Sequence, residues 1–344
     1  MAADRSHRFE DLPDEEIAKL VQSLNSLHEG ELGITMLVAC GPRAIFPLRE
    51  FLLHGKPGSI SVPRQRAVRA LADLQAKDVL LEYLRSPKHI SDPVIRFGEQ
   101  AVENTAARVL AKWQAEDVFQ ELLYMASQRM LPGVLETLGS FRRPEAVPYL
   151  IKALEDDVGR PPAEEALRNL GEMAWPDLVE AARTPDPSRE LETPSSLLRR
   201  QTALRILADA KVDVQHWPRI EALLHDSDHG IAASVARVAL QVAPASEHKH
   251  AFARMIQALE FADWFVKTEV EDALVDHFTK VREFIAVEIT RRSRLPEPHV
   301  DPVLAVLVAV EKTGCRLAAE ESRAQMKAHT DEHAKKGKGQ KDFD

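Results

Sequence analysis

Val134-Leu-Glu-Thr-Leu-Gly-Ser-Phe141 is followed by Arg142-Arg-Pro-Glu145 and then by Ala146-Val-Pro-Tyr-Leu-Ile-Lys-Ala-Leu154. In the first segment apolar residues fall at 134, 135, 138 and 141; in the last they fall at 147, 150, 151 and 154. Both sets follow the i, i+3, i+4, i+7 spacing of an amphipathic helix. The residues between them form a tight turn, so the stretch predicts two short helices, each with one apolar stripe. A lone pair of this kind cannot bury both stripes, whereas stacked copies can.

Related units run outward in both directions. Ala67–Leu74 precedes Asp78–Leu84, Ala106–Trp113 precedes Asp117–Leu123, and Ala166–Met173 precedes Trp175–Arg183. Further on, Ala203–Ala210 precedes Trp217–Leu224 and Ala236–Ala243 precedes Ala251–Leu259. The first helices end near 74, 113, 141, 173, 210 and 243, at steps of 28 to 39 residues, a loose period that suits helical-pair repeats. An apolar residue followed by proline opens the second helix in four units: Phe46-Pro47, Val147-Pro148, Trp175-Pro176 and Trp217-Pro218. Proline in a first turn loses no helical hydrogen bond and presets φ.

These units resemble HEAT repeats, above all the short variety found in phycobilisome-lyase-like proteins, whose pattern reads A-L-x-x-L-G … A-V-P-x-L. Val134–Leu154 is the copy most similar to it, and 166–183 and 203–224 follow it well. The resemblance covers about residues 30–260. It implies an all-α fold, an α-α superhelix or HEAT/armadillo-like solenoid of about eight helix pairs, and a protein-binding scaffold. It implies no specific reaction, because a fold does not determine a function.

Before the array, Asp11-Leu-Pro-Asp-Glu-Glu16 opens a helix with its acids at the positive end of the dipole, and Ile17, Leu20, Val21, Leu24 and Leu27 form its buried stripe. Beyond residue 260, Asp263–Phe278 and Val281–Arg292 read as a further pair, Asp301–Val310 as a very apolar helix, and Arg316–Lys327 as a polar helix capping the stack. The expected organisation is therefore a capping helix in 1–28, repeats in 29–262, divergent repeats and a cap in 263–328, and an unfolded tail in 329–344. Three long connections, His54–Pro63, Ser86–Pro93 and Thr184–Ser196, fall between repeats, where insertions gather along one edge of an array.

Composition narrows the function classes. The chain has 344 residues, 14 of them glycine, and only 6% aromatic side chains, which disfavours an all-β fold. A net charge of −9 argues against a dedicated nucleic-acid binder or a protein of anionic membranes. Cys40 and Cys315 lie far apart in apolar surroundings and read as small apolar groups rather than a disulfide scaffold. Met1–Glu16 carries no apolar leader and Pro302–Val310 is too short to span a bilayer, so cytoplasm is the expected compartment.

Candidate chemistry is sparse. His225-Asp-Ser-Asp-His229 and Glu247-His-Lys-His250 contain zinc-ligand types, but the helix between them separates its ends by about 20 Å. Ligands must lie within about 2 Å of one ion, so no metal is expected there, nor at His329 and His333 in the tail. The iron hydroxylases built on HEAT-like repeats use several His-Glu pairs, and only His28-Glu29 is present. Of Trp113, Trp175, Trp217 and Trp264, the middle two occupy the repeat position of Val147 and read as core anchors. No G-x-S-x-G, P-loop or G-x-G-x-x-G occurs. No catalytic residue, no metal ligand and no cofactor is therefore expected. The basic runs Arg142-Arg143, Arg199-Arg200 and Arg291-Arg292, with Arg294, and the acidic runs Glu155–Asp157 and Glu269–Asp272 read as solvated surface.

The reading that follows is a non-catalytic scaffold, a monomer or weak oligomer, that binds another protein or peptide through its concave face and its loop edge. Register places Tyr149, Lys152, Asp177, Glu180 and Arg219 on the outward side of the second helices as partner contacts. A nucleic-acid-associated protein using the arginine runs, or a lyase-type enzyme with a site not visible in motifs, are the alternatives.

Overall fold

A computed structural model describes residues 9, 12–186 and 192–339, and among them every regular element is helical. The contacts divide the chain into two units, 1–177 with 194–199 and 178–193 with 200–344.

In the first unit α1 (Asp14–Ser23) precedes four helix pairs: α2 (Gly30–Ala39) and α3 (Ile45–Leu53), α4 (Val62–Asp73) and α5 (Lys77–Arg85), α6 (Pro93–Leu110) and α7 (Glu116–Gln128), α8 (Pro132–Ser140) and α9 (Val147–Ala153). Then follow α10 (Arg160–Leu170) and the opening of α11 (Trp175–Arg183). First helices α2, α4, α6, α8 and α10 pack side by side in one layer, and α3, α5, α7 and α9 form the other. The deciding stretch behaves as its periodicity demands: Val134, Leu135, Leu138, Val147, Leu150 and Leu154 are fully buried, with Phe141 and Ile151 at the edge.

Each apolar-proline pair sits where a second helix begins. A single 3-10 turn leads into it, at Gly41–Ala44, Pro144–Ala146, Gly171–Ala174 and Val214–His216. At the start of these turns or just before them, and before α5, the chain reverses through a residue of positive φ: Gly41, Gln75, Arg142, Gly171 or Lys211. That conformation ends a helix and frees the chain to turn.

In the second unit α12 (Pro194–Ala210, from Arg200 on) leads to α13 (Trp217–Ile220), then α14 (His229–Val242), α15 (Ala245–Phe261), α16 (Trp264–Asp276), α17 (Phe278–Arg292) and α18 (Pro302–Gly339). The expected helix over 217–224 is α-helical only to Ile220 and continues as a 3-10 turn over Glu221–His225.

Two expectations need correction. Leu27 is 85% exposed, because α1 stops at Ser23 and the turn that follows breaks the register of its stripe. The two helices expected over 301–310 and 316–327 are one continuous helix, α18. Gly314 between them does not end it: a Cβ there would come within 2.3 Å of the Phe278 ring, so the glycine permits close approach. Of the expected tail, 329–339 is described as helical backbone only, and 340–344 lies outside the described residues.

Candidate functional site

The charged residues are arranged by the repeat. In the first unit Glu31 on α2 pairs with Arg66 and Arg69 on α4, Arg49 on α3 with Glu82 on α5, Arg85 on α5 with Glu121 on α7, and Arg108 on α6 with Glu136 on α8. In the second, Arg237 on α14 holds Asp209 of α12 and Glu269 of α16. Each joins like helices of successive pairs. A second device recurs beside it: a long polar side chain reaches back to a carbonyl at the end of an earlier helix. Arg64 does so to Leu52, Lys112 to Ala72, Arg200 to Ala182, Arg254 to Asp226 and Lys280 to Leu240. A cation there meets the negative end of the helix dipole and satisfies an orphan acceptor.

Within the arginine runs, Arg143, Arg199, Arg200, Arg291 and Arg292 are ion-paired. Arg143 lies over the Phe119 ring and pairs with Glu116 and Glu145. Arg199 holds Glu155; Arg200 holds Glu192 and Asp226; Arg291 holds Glu288; Arg292 holds Glu260, Glu288 and Asp301. In the acidic runs Glu155 pairs with Arg199, Asp157 with Arg160 and Glu269 with Arg237, while Asp156 caps the amides of Val158 and Gly159. The guanidinium of Arg66, donating to Glu31, holds that carboxyl below the usual range, and Arg49 does the same for Glu82.

Of the five residues assigned to partner contact, Tyr149 is half-buried and Lys152 exposed on α9; Asp177 and Glu180 are exposed on α11, and Arg219 is exposed on α13. Tyr149, Lys152 and Asp177 belong to the first unit and the other two to the second. The structure joins Glu180 to Arg219, 3.0 Å apart.

Sequence reasoning missed an apolar opening, a cleft of about 630 Å³ between α15 and α17. Phe252, Ala253 and Ile256 face it from one side, and Phe284 and Val287 from the other. The two phenylalanine rings lie 5.9 Å apart, and Val287 is 69% exposed. Lys249, Glu260, Glu283 and Glu288 stand at its rim. The signal was the width of the apolar face: α15 buries Ala251, Phe252, Met255, Ile256, Ala258 and Leu259, and Phe252 and Ile256, with the exposed Ala253, are the ones that border the cleft. Near the end of α15, Phe261, Trp264 and Phe265 are also exposed, while Trp217 is buried and Trp113 and Trp175 half-buried.

The histidines are closer than the helix between them suggested. The rings of His225 and His250 meet at 4.9 Å. His225 ends the segment that lies beside α15 in the same layer, so the rise along α14 does not separate them. His229 instead stacks on Phe261 at 5.3 Å. Among the described residues no three His, Cys, Asp or Glu side chains come together as metal ligands would.

No curated protein matches the chain. Residues 133–156 match the family model of the PBS lyase HEAT-like repeat, a span that takes in nearly all of α8, its turn and α9. With further helix pairs stacked beside it, the chain is an all-α helical-repeat protein that carries a PBS lyase HEAT-like repeat at residues 133–156.

Proposed function

We propose that this protein is a non-catalytic scaffold of the cytoplasm that holds another protein or peptide in the cleft between α15 and α17. The cleft carries the reading: it opens between second helices of successive pairs, with Phe284 half-buried and Val287 exposed in its wall. From Lys249 to Glu260 its wall runs about 16 Å, enough for three turns of a bound helix. Apolar anchors in such a groove supply binding energy, and the charged rim selects orientation. The non-catalytic part is supported by the use of the charged residues, which serve the stack itself. Cys40 and Cys315 are both free thiols, which favours a reducing compartment. Among the described residues no helix is long and apolar enough to cross a membrane.

A photo-crosslinking residue in place of Val287 tests the proposal. It should give one discrete protein adduct in the native host, and Ala253→Glu, which puts a charge at the exposed wall of the cleft, should abolish that adduct while leaving helicity unchanged. No adduct, or an adduct indifferent to Ala253→Glu, overturns it.

A further inference from the structure

Two of the three long loops, 54–61 and 86–92, converge on one cavity of about 420 Å³ in the first unit. His54 and Lys56 come from the first loop, Lys88 and His89 from the second; Arg64, Tyr83 and Glu99 rise into it from α4, α5 and α6. The residues from the helices are buried, Arg64 to 7% exposure, Glu99 to 3% and Tyr83 to 1%.

The polar groups are organised. Glu99 accepts from the Tyr83 hydroxyl at 2.5 Å and from the Arg64 guanidinium, so both its oxygens are engaged. Burial and the Glu99 carboxylate push the Tyr83 phenol up, which keeps it a donor. Lys88 lies 4.2 Å above the Tyr83 ring and donates to the Tyr83 and Ser86 carbonyls, with Glu103 at 3.2 Å behind it. Arg129 also holds Glu103. One donor is left over: Arg64 gives two of its nitrogens to Glu99 and the Leu52 carbonyl, but Nε has no partner.

Burying this cluster is costly. A desolvated ion pair gains little over apolar packing, whereas most inter-repeat pairs of this chain keep one partner in water. Its wall also carries three basic side chains, Lys56, Arg64 and Lys88, against two carboxylates, Glu99 in the wall and Glu103 behind Lys88, an excess of one basic group. Between low-dielectric walls an excess of one sign attracts the opposite charge. The volume is that of a site for a small molecule, and a guanidinium with a free N–H beside an ammonium suits an oxyanion.

We propose that this cavity binds a small ligand through an oxyanion, a phosphate or carboxylate group held by Arg64 at the floor and by Lys56 and His89 from the two loops. The site is separate from the cleft between α15 and α17, and neither proposal depends on the other.

Calorimetric titration of the full chain with inorganic phosphate, and separately with acetate, at constant ionic strength tests it. At least one anion should bind saturably, and the exposed double substitution Lys56→Ala/His89→Ala should weaken that binding about tenfold or more. The same variant should melt like the parent protein without ligand, so the loss is not one of folding. Tighter phosphate binding names a phosphate-bearing ligand and tighter acetate binding a carboxylate. Absence of saturable binding by both anions, or equal binding by the variant, overturns the proposal.

Discussion

Arg219 donates to Glu180 at 3.0 Å although 39 positions separate them in the chain. The separation is one repeat long, so the bond fastens α11 to α13 and takes up two charges that register alone assigns to a partner. Glu180 also receives Arg183 from its own helix. Both members of the Arg219 pair are about half exposed, where long side chains pay an ordering entropy and water screens the attraction. A double-mutant cycle on Glu180→Ala and Arg219→Ala should therefore give a coupling of about 0.2–1 kcal/mol that fades at high salt. A coupling well above that range would show the pair to be a structural lock.

Leu138 tests the stacked core. It is fully buried in α8, between the first-helix neighbours α6 and α10. Leu138→Ala should cost about 2–5 kcal/mol, because the surrounding layers collapse only partly into the space left. In a repeat array each pair touches its neighbours alone, so hydrogen exchange should quicken most between about residues 93 and 170. Residues 229–292 should keep their protection; a uniform loss would mean one undivided cooperative core.

The helices were legible because their stripes have the right period: the apolar positions of 134–154 are the ones the fold buries. The apolar-proline pairs were legible for a covalent reason, the fixed φ of proline. Other features left no such mark. Gln75, Arg142 and Lys211 adopt left-handed φ at helix ends without being glycine, so nothing in their identity announces the turn. Phe252 and Ile256 sit on a helix with a wide apolar face, and periodicity cannot say how much of that face a neighbour covers. The convergence of Lys56 with Lys88 depends on the offset between successive helix pairs, which sequence spacing does not encode.

The two glycines that follow the matched leucines in the repeat pattern act differently. Gly139 lies within α8, where a Cβ would come within 2.5 Å of the Ala166 Cβ and 2.9 Å of its Cα. Gly139→Ala should thus destabilise by about 1–3 kcal/mol, against its better helix propensity, by forcing α8 away from α10. Gly171 meets no such obstacle, but its φ of 58° with ψ of −132° is open only to glycine. Gly171→Ala should also destabilise by about 1–3 kcal/mol, through backbone strain. Chemical denaturation of both variants, with crystallography of Gly139→Ala, separates the two causes: a widened α8–α10 spacing belongs to Gly139 alone.

Acid should unfold the protein in two stages. His277, half-buried between α16 and α17, has its imidazole held below the ordinary value, mainly by burial, with Lys280, Lys211 and His248 adding to the effect and Asp276 opposing it. Its folded pKa is the lower one, so the unfolded chain binds the extra proton first. Its contribution is complete above the unfolded value of about 6.5 and is lost as pH falls through the folded one. Glu31, Glu82 and Glu288 are likewise held low, chiefly by hydrogen bonds from Arg66, Arg49 and Arg291. Their share is complete above about pH 4.5 and is lost below it, as each carboxylate is protonated and leaves its arginine. Urea unfolding across pH 3 to 8 should show a level region at the alkaline end, a first decline below about 6.5 and a steeper one below about 4.5. His277→Gln removes the titrating imidazole and should flatten the first decline while leaving the second. A first decline that survives this substitution would assign it to another group.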